Sequence, residues 1–131
     1  MSAPIRAGLR VERTFVVEAR NTIDFAPGLM PTILSTPQLI GWLERTSREG
    51  LAPLLAEGRT TVGVEIELKH LGPAGLGQTV VCHARVLTVE GPKIAFQVEA
   101  YQASRLIARG FHRRHIVEMK RFSAFVEREI S

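Results

Sequence analysis

The sequence predicts an α+β domain in which an antiparallel sheet curls around one long helix. Three observations carry that expectation. Residues 37–56 hold one helical periodicity, with Leu39, Leu43, Ser47, Leu51 and Leu54 recurring at steps of three or four. Residues 61–69 alternate strictly, placing Val62, Val64, Ile66 and Leu68 on one side and Thr61, Gly63, Glu65, Glu67 and Lys69 on the other. Further strand-like runs then succeed one another with turn-rich connections, so that helix and strands are segregated.

Met1 to Gly8 is short and polar and reads as a loose terminus. Leu9–Val17 is a first strand through Val11, Phe15, Val16 and Val17. Asn21–Leu34 is broken by Pro27, Gly28 and Pro31, yet it is apolar through Ile23, Phe25, Leu29, Met30 and Ile33. Such a loop is expected to cover an apolar group or a subunit seam. The helix begins with Thr36 as N-cap and Pro37 as first helical residue, and ends before Gly58 with its last turn distorted by Pro53. Gly41 and Gly50 inside it each cost roughly 1 kcal/mol against Ala, which calls for close approach of another backbone. After the strand of residues 61–69, Leu71–Gly77 connects to a strand at Gln78–Val89. Glu90-Gly91-Pro92-Lys93 turns into Ile94–Ala103, and Leu106–Val117 completes the sheet. A last helix, about Lys120–Glu129, packs through Phe122, Phe125 and Val126.

At 131 residues the chain is one domain, 1–131, with room for a real core. Its net charge of +4 is dispersed and its aromatic content is 6%, which argues against a nucleic-acid module. An anionic small ligand fits such a balance. Cys82 stands alone, so no disulfide framework or CxxC metal site is expected, which favours a reducing cytoplasm. No stretch reaches the roughly 20 apolar residues of a membrane span.

Thr36 and Glu44 within Thr-Pro-Gln-Leu-Ile-Gly-Trp-Leu-Glu, then Val62-Gly63-Val64, then His70 before a Gly/Pro-rich turn, form a specific spacing. With Leu51-Ala52-Pro53-Leu54-Leu55, Val89-Glu90-Gly91 and Gly110-Phe111-His112-Arg113-Arg114, the chain resembles the fluoroacetyl-CoA thioesterase family of hotdog-fold proteins from about Arg10 to Phe122. The resemblance implies a five-stranded hotdog domain and a homodimer or higher homo-oligomer with sites where two sheets meet. It implies an acyl-CoA substrate, with Thr36, Glu44 and His70 catalytic and Gly63 beside the thioester. Arg114 matches a further position near the site. Pro27, Met30 and Ile33 stand where the fluoroacetate-specific member carries aromatic residues over the small acyl group. A different acyl group is therefore expected, with Met30 and Ile33 contacting it.

Thioester hydrolysis needs an activated nucleophile, a proton carrier and donors for the developing oxyanion. Glu44, among Trp42 and Leu43, would have its pKa raised by burial and act as base or nucleophile; read blandly, it is an exposed partner of Arg45 or Arg48. His70 is of the residue type suited to moving a proton at neutral pH, although a histidine before a turn is commonly an ordinary loop residue. Thr36 can bind or attack the carbonyl at the positive helix end, or simply cap the helix. Eight residues of helix separate Thr36 from Glu44, about 12 Å of rise, so substrate, water or a second subunit must join them.

His83, His112 and His115 lack metal spacing with a carboxylate and read as solvated strand positions. Arg113, Arg114, Lys120 and Arg121 form the densest basic cluster, either a site for the phosphates of coenzyme A or a solvated strand end. No metal or redox cofactor is expected. The first rival is an acyl-CoA or acyl-carrier binder without turnover. A hydratase or dehydratase would want an Asp/His pair, and the one aspartate, Asp24, lies in the apolar loop.

Overall fold

The computed structural model describes residues 4–23 and 25–131. Met1–Ala3 and Asp24 lie outside the described residues, and with them part of the expected loose terminus and the aspartate weighed for a dehydratase. In chain order the elements are β1 (Arg10–Val16), β2 (Thr22–Ile23), β3 (Ile33–Leu34), α1 (Thr36–Leu51), β4 (Arg59–His70), β5 (Thr79–Glu90), β6 (Lys93–Gln102), β7 (Arg105–Glu118) and α2 (Met119–Ile130). Five strands form one antiparallel sheet in the order β1-β5-β6-β7-β4, and β2 pairs with β3 as a separate small hairpin. The expected α+β sheet wrapped on a central helix is the fold observed.

The inward residues of β5 (Val80, Cys82, Ala84, Val86) and β6 (Ile94, Phe96, Val98, Ala100) are all buried, matching the period of two along a strand with one covered face. Leu39, Trp42, Leu43 and Leu51 of α1 close the core from the other side. Each fully buried leucine stabilises the packing by roughly 1.5–3 kcal/mol. Cys82 is part of this core, and burial pushes its thiol up to about 12, with Thr46 opposing. Among the described residues no helix is long and apolar enough to cross a membrane.

Several expectations are corrected. The residue that caps α1 is Ser35, whose backbone is extended and whose Oγ accepts the Gln38 N–H at 3.4 Å, and Thr36 is the first residue of the helix. α1 stops at Leu51 and passes into a short 3₁₀ turn, Ala52–Leu54, because Pro53 has no N–H to continue the ladder. The close approach of a backbone expected at Gly41 and Gly50 is not found: a Cβ at Gly50 would meet the Val11 side chain, and one at Gly41 would meet nothing within 4 Å among the described residues. Residues 4–9 are less loose than expected, since Ile5 packs on the core and the Gly8 N–H donates to the Val86 carbonyl at 2.8 Å.

β4 is an edge strand, and its alternation is interrupted. Its register with β7 shifts between Gly63 and Glu65, so Val64 is an extra residue and stands 59% exposed. A bulge of this kind exchanges the two faces for every residue beyond it. Thr61 and Gly63 point inward before the bulge, and Leu68 packs on the core after it. The terminal helix α2 also differs from expectation: none of its residues is buried, and Phe125 (48%) and Ile130 (78%) are open to solvent.

Candidate active site

α1 runs against β4, so the start of the helix meets His70 and, about two turns further on, Glu44 meets Gly63. At the first of these places Thr36 Oγ1 and His70 Nδ1 share a 2.7 Å hydrogen bond. Ser35 makes this possible, because by serving as the cap it leaves the Thr36 hydroxyl free for the imidazole. The second ring nitrogen, Nε2, is buried and has no hydrogen-bond partner among the described residues. Asn21 fixes this end of the helix. It is buried, its Nδ2 donates to Gln38 Oε1 at 2.9 Å, and its carbonyl accepts the Ser35 N–H at 2.9 Å.

At the second place the Glu44 carboxylate lies over the bare backbone of Gly63. A Cβ added there would stand 2.7 Å from Glu44 Oε2, 3.2 Å from Arg114 Nη1 and 3.2 Å from His112 Cε1. The absent side chain is what lets the carboxylate approach the strand. Arg114 is buried and fully directed: Nε donates to Thr61 Oγ1 at 2.8 Å, Nη2 to the Thr61 carbonyl at 2.9 Å, and Nη1 lies 3.9 Å from Glu44 Oε2. Burial lowers the proton affinity of this guanidinium, Glu44 raises it and Arg48 lowers it. The apolar burial expected around Glu44 is absent. Its side chain is 42% exposed and faces a cation rather than a greasy pocket.

The structure therefore brings Thr36 to His70 and Glu44 to Gly63 and Arg114, as two groups about two helical turns apart along α1. Met30 (42% exposed) and the half-buried Ile33 lie on the loop that leads into α1, with Ile33 bridged to Gly75. Phe25 and Leu29 of the same loop are 68% and 87% exposed, so within this chain the apolar loop leaves much of its surface uncovered.

The expected basic cluster does not form. Arg113 and Arg114 are neighbours on a strand and point to opposite faces; Arg113 pairs with Glu65 on the outside at 3.2 Å while Arg114 is inside. The solvated-histidine reading holds for His83, which is partly exposed and lies 3.4 Å from Glu12. It fails for His112, which is 1% exposed beneath Gly63. A signal for this was present in the sequence: His112 has the same strand parity as Arg114, two residues on. Ser35, Asn21 and Thr61 were also missed. Ser35 competes with Thr36 for one role, whereas Asn21 and Thr61 act through partners distant in sequence.

The model of the family described as FlK, fluoroacetyl-CoA-specific thioesterase, matches residues 17–120. The chain belongs to the fluoroacetyl-CoA-specific thioesterase family. A curated member, the fluoroacetyl-CoA thioesterase of Streptantibioticus cattleyicolor, is 27% identical over 98% of this chain and 97% of its own length. The solved structure of the fluoroacetyl-CoA thioesterase FlK superposes with a TM-score of 0.88 at 26% identity, covering 98% of this chain and 100% of that one. A thioesterase-superfamily protein of Thermus thermophilus gives 0.86 at 28% identity, over 95% of this chain and 93% of its own. A hot-dog-like protein of Thermanaerovibrio acidaminovorans gives 0.86 at 25% identity, over 95% and 93%. The fold is accordingly the hotdog fold, and the family is one of thioester hydrolases.

Proposed function

We propose that the chain hydrolyses an acyl-CoA thioester to the free acid and coenzyme A, with Thr36 as nucleophile, His70 as proton carrier and Glu44 as the base for water. The observation that carries this reading is the 2.7 Å contact between Thr36 Oγ1 and His70 Nδ1 at a helix start capped by another residue. With Nε2 protonated, Nδ1 takes the proton of the attacking hydroxyl. The thioester carbonyl carbon gains the Thr36 oxygen, the oxyanion forms near the positive end of α1, and coenzyme A leaves with the proton held by His70. Water activated by the half-exposed Glu44 then releases the acid and restores the hydroxyl. These groups supply each step without a metal or redox cofactor. The apolar loop with Met30 and Ile33 supports an apolar acyl group other than fluoroacetyl. The lone, buried Cys82 fits a cytoplasmic setting.

The site is completed in a homodimer on this reading. Among the described residues β4 carries no strand on its outer edge, and Thr36 and Glu44 are about 12 Å apart along one helix, a distance that groups from two chains can close.

The test is thiol release from short, branched, long and aromatic acyl-CoA esters, with the wild type beside Thr36→Ala, Glu44→Ala and His70→Ala. Turnover of one class should fall by about 10²–10⁴ in each variant. Tight binding with no thiol released from any ester would replace the enzyme by an acyl-CoA binder. Mixing Thr36→Ala with Glu44→Ala and letting subunits exchange should restore about a quarter of wild-type turnover, because half the dimers are mixed and each regains one site. No recovery would assign both groups to one chain.

A further inference from the structure

The proposed reaction leaves the buried imidazole of His112 unused. The His112 imidazole lies beneath Gly63, its ring stacked on Phe96 with centroids 6.1 Å apart and planes 22° from parallel. Nδ1 is 2.8 Å from the Glu65 carbonyl at the β4 bulge, and Nε2 is 3.2 Å from Arg114 Nη1. A carbonyl can only accept and a guanidinium can only donate. Both contacts are satisfied by one form alone, the neutral imidazole with its proton on Nδ1 and a bare Nε2. We propose that His112 is a positioning residue: its bare Nε2 anchors Arg114 Nη1 and so holds the guanidinium beside the Glu44 carboxylate over Gly63. This rests on the thioesterase reading for its kinetic consequence but not for its geometry.

The arrangement explains features that are otherwise unrelated. Thr61 holds Nε and Nη2 of the guanidinium, and His112 takes up the remaining nitrogen, so the Arg114 side of its 3.9 Å separation from Glu44 is fixed by the strands. The bulge supplies the other half of the clamp, because the residue whose carbonyl receives Nδ1–H is the one next after the extra Val64. Burial keeps the imidazole in the required neutral form by holding its pKa below the ordinary value, and the Arg114 charge acts in the same direction against the Glu65 carbonyl and Glu44.

Two substitutions separate the two contacts. In His112→Asn the side-chain amide can still donate to the Glu65 carbonyl but is too short to reach Arg114. In His112→Gln the amide oxygen can take the place of Nε2. We expect kcat of His112→Asn to fall about tenfold with KM within about twofold, and His112→Gln to recover most of it, the loss being that of one hydrogen bond to a charged group. Equal turnover in wild type and His112→Asn, or His112→Gln no better than His112→Asn when both melt as the wild type does, would overturn the proposal. The ¹⁵N shifts of His112 in the wild-type protein test the geometry directly and need no variant to fold. A neutral Nδ1–H tautomer at neutral pH is required, and an Nε2–H tautomer or an imidazolium would sink it. If the wild type released no thiol from any ester, the thioesterase reading would fail while the tautomer still decided the anchoring of Arg114.

Discussion

At the start of α1 the paired groups include an exposed threonine on a freshly begun helix, whereas two turns further on Glu44 faces an arginine and a histidine that are almost wholly buried. Thr36 and His70 hold each other by a single hydrogen bond. Around Gly63 Arg114 makes three hydrogen-bond contacts besides its approach to Glu44, and His112 makes two. On the proposed reaction the first place offers a hydroxyl and an imidazole to a reacting carbonyl. The second is held by more contacts, as would suit groups that stay put while the proposed base at their edge moves water and protons. Reactivity and rigidity are thus divided along one helix.

Gly63→Ala breaks the rigid end most severely. The new methyl group would stand 2.7 Å from Glu44 Oε2, and the half-exposed carboxylate must swing away. We expect kcat to drop about 100-fold, the cost of misplacing a reacting group by an ångström or so. The melting temperature should fall as well, because the same methyl group lies 3.2 Å from the buried Arg114 and His112 side chains, and unchanged turnover would mean that the carboxylate does not work over Gly63.

Ser35→Ala probes the open end. Loss of the cap should reduce stability by about 1 kcal/mol in urea unfolding and lower turnover by less than about tenfold. Unchanged stability with lost turnover would mean that Thr36 has taken over as cap and abandoned His70.

The smallest effect sharpens the contrast through pH. His112 has its pKa lowered in the folded chain, first by burial, so between its ordinary value near 6.5 and the lowered one the unfolded chain binds more protons than the folded chain. The stability it contributes is complete above that ordinary value and is lost as pH falls through the window below it. Melting temperatures measured from about pH 7.5 down to about pH 5 should fall more steeply for the wild type than for His112→Gln. Parallel curves would show that the buried imidazole is not what titrates.

Much of this architecture was legible in the chain. β5 from Val80 to Val86 and β6 from Ile94 to Ala100 keep their alternation because each is flanked by strands on both sides and covered by α1 on one face. The α1 stripe was legible for the same reason, with Leu39, Leu43, Ser47 and Leu51 all buried. The failures have local causes. Ser35 and Thr36 are both good caps, and the sequence holds nothing that chooses between them. An extra residue at Val64 is invisible until β4 is laid beside β7. The periodic apolar face of α2 promised packing that the rest of this chain does not provide. Of the candidate site, Thr36, Glu44, Gly63 and His70 are implied by the family resemblance that their spacing carries. The groups that fix them, Asn21, Thr61 and His112, depend on pairings between distant segments.

The buried thiol of Cys82 bears on how such an enzyme can be trusted to count its own turnovers. A cysteine near a thioester is a rival acceptor, since thiolate exchange would load the acyl chain onto the protein and stop it there. Here the one cysteine is walled inside the sheet and held as the thiol, with its pKa pushed up to about 12. It can neither steal an acyl group nor react with a disulfide reagent while the chain is folded. Every sulfhydryl that such a reagent detects in native protein therefore comes from coenzyme A, and a late rise in signal would report unfolding instead of catalysis.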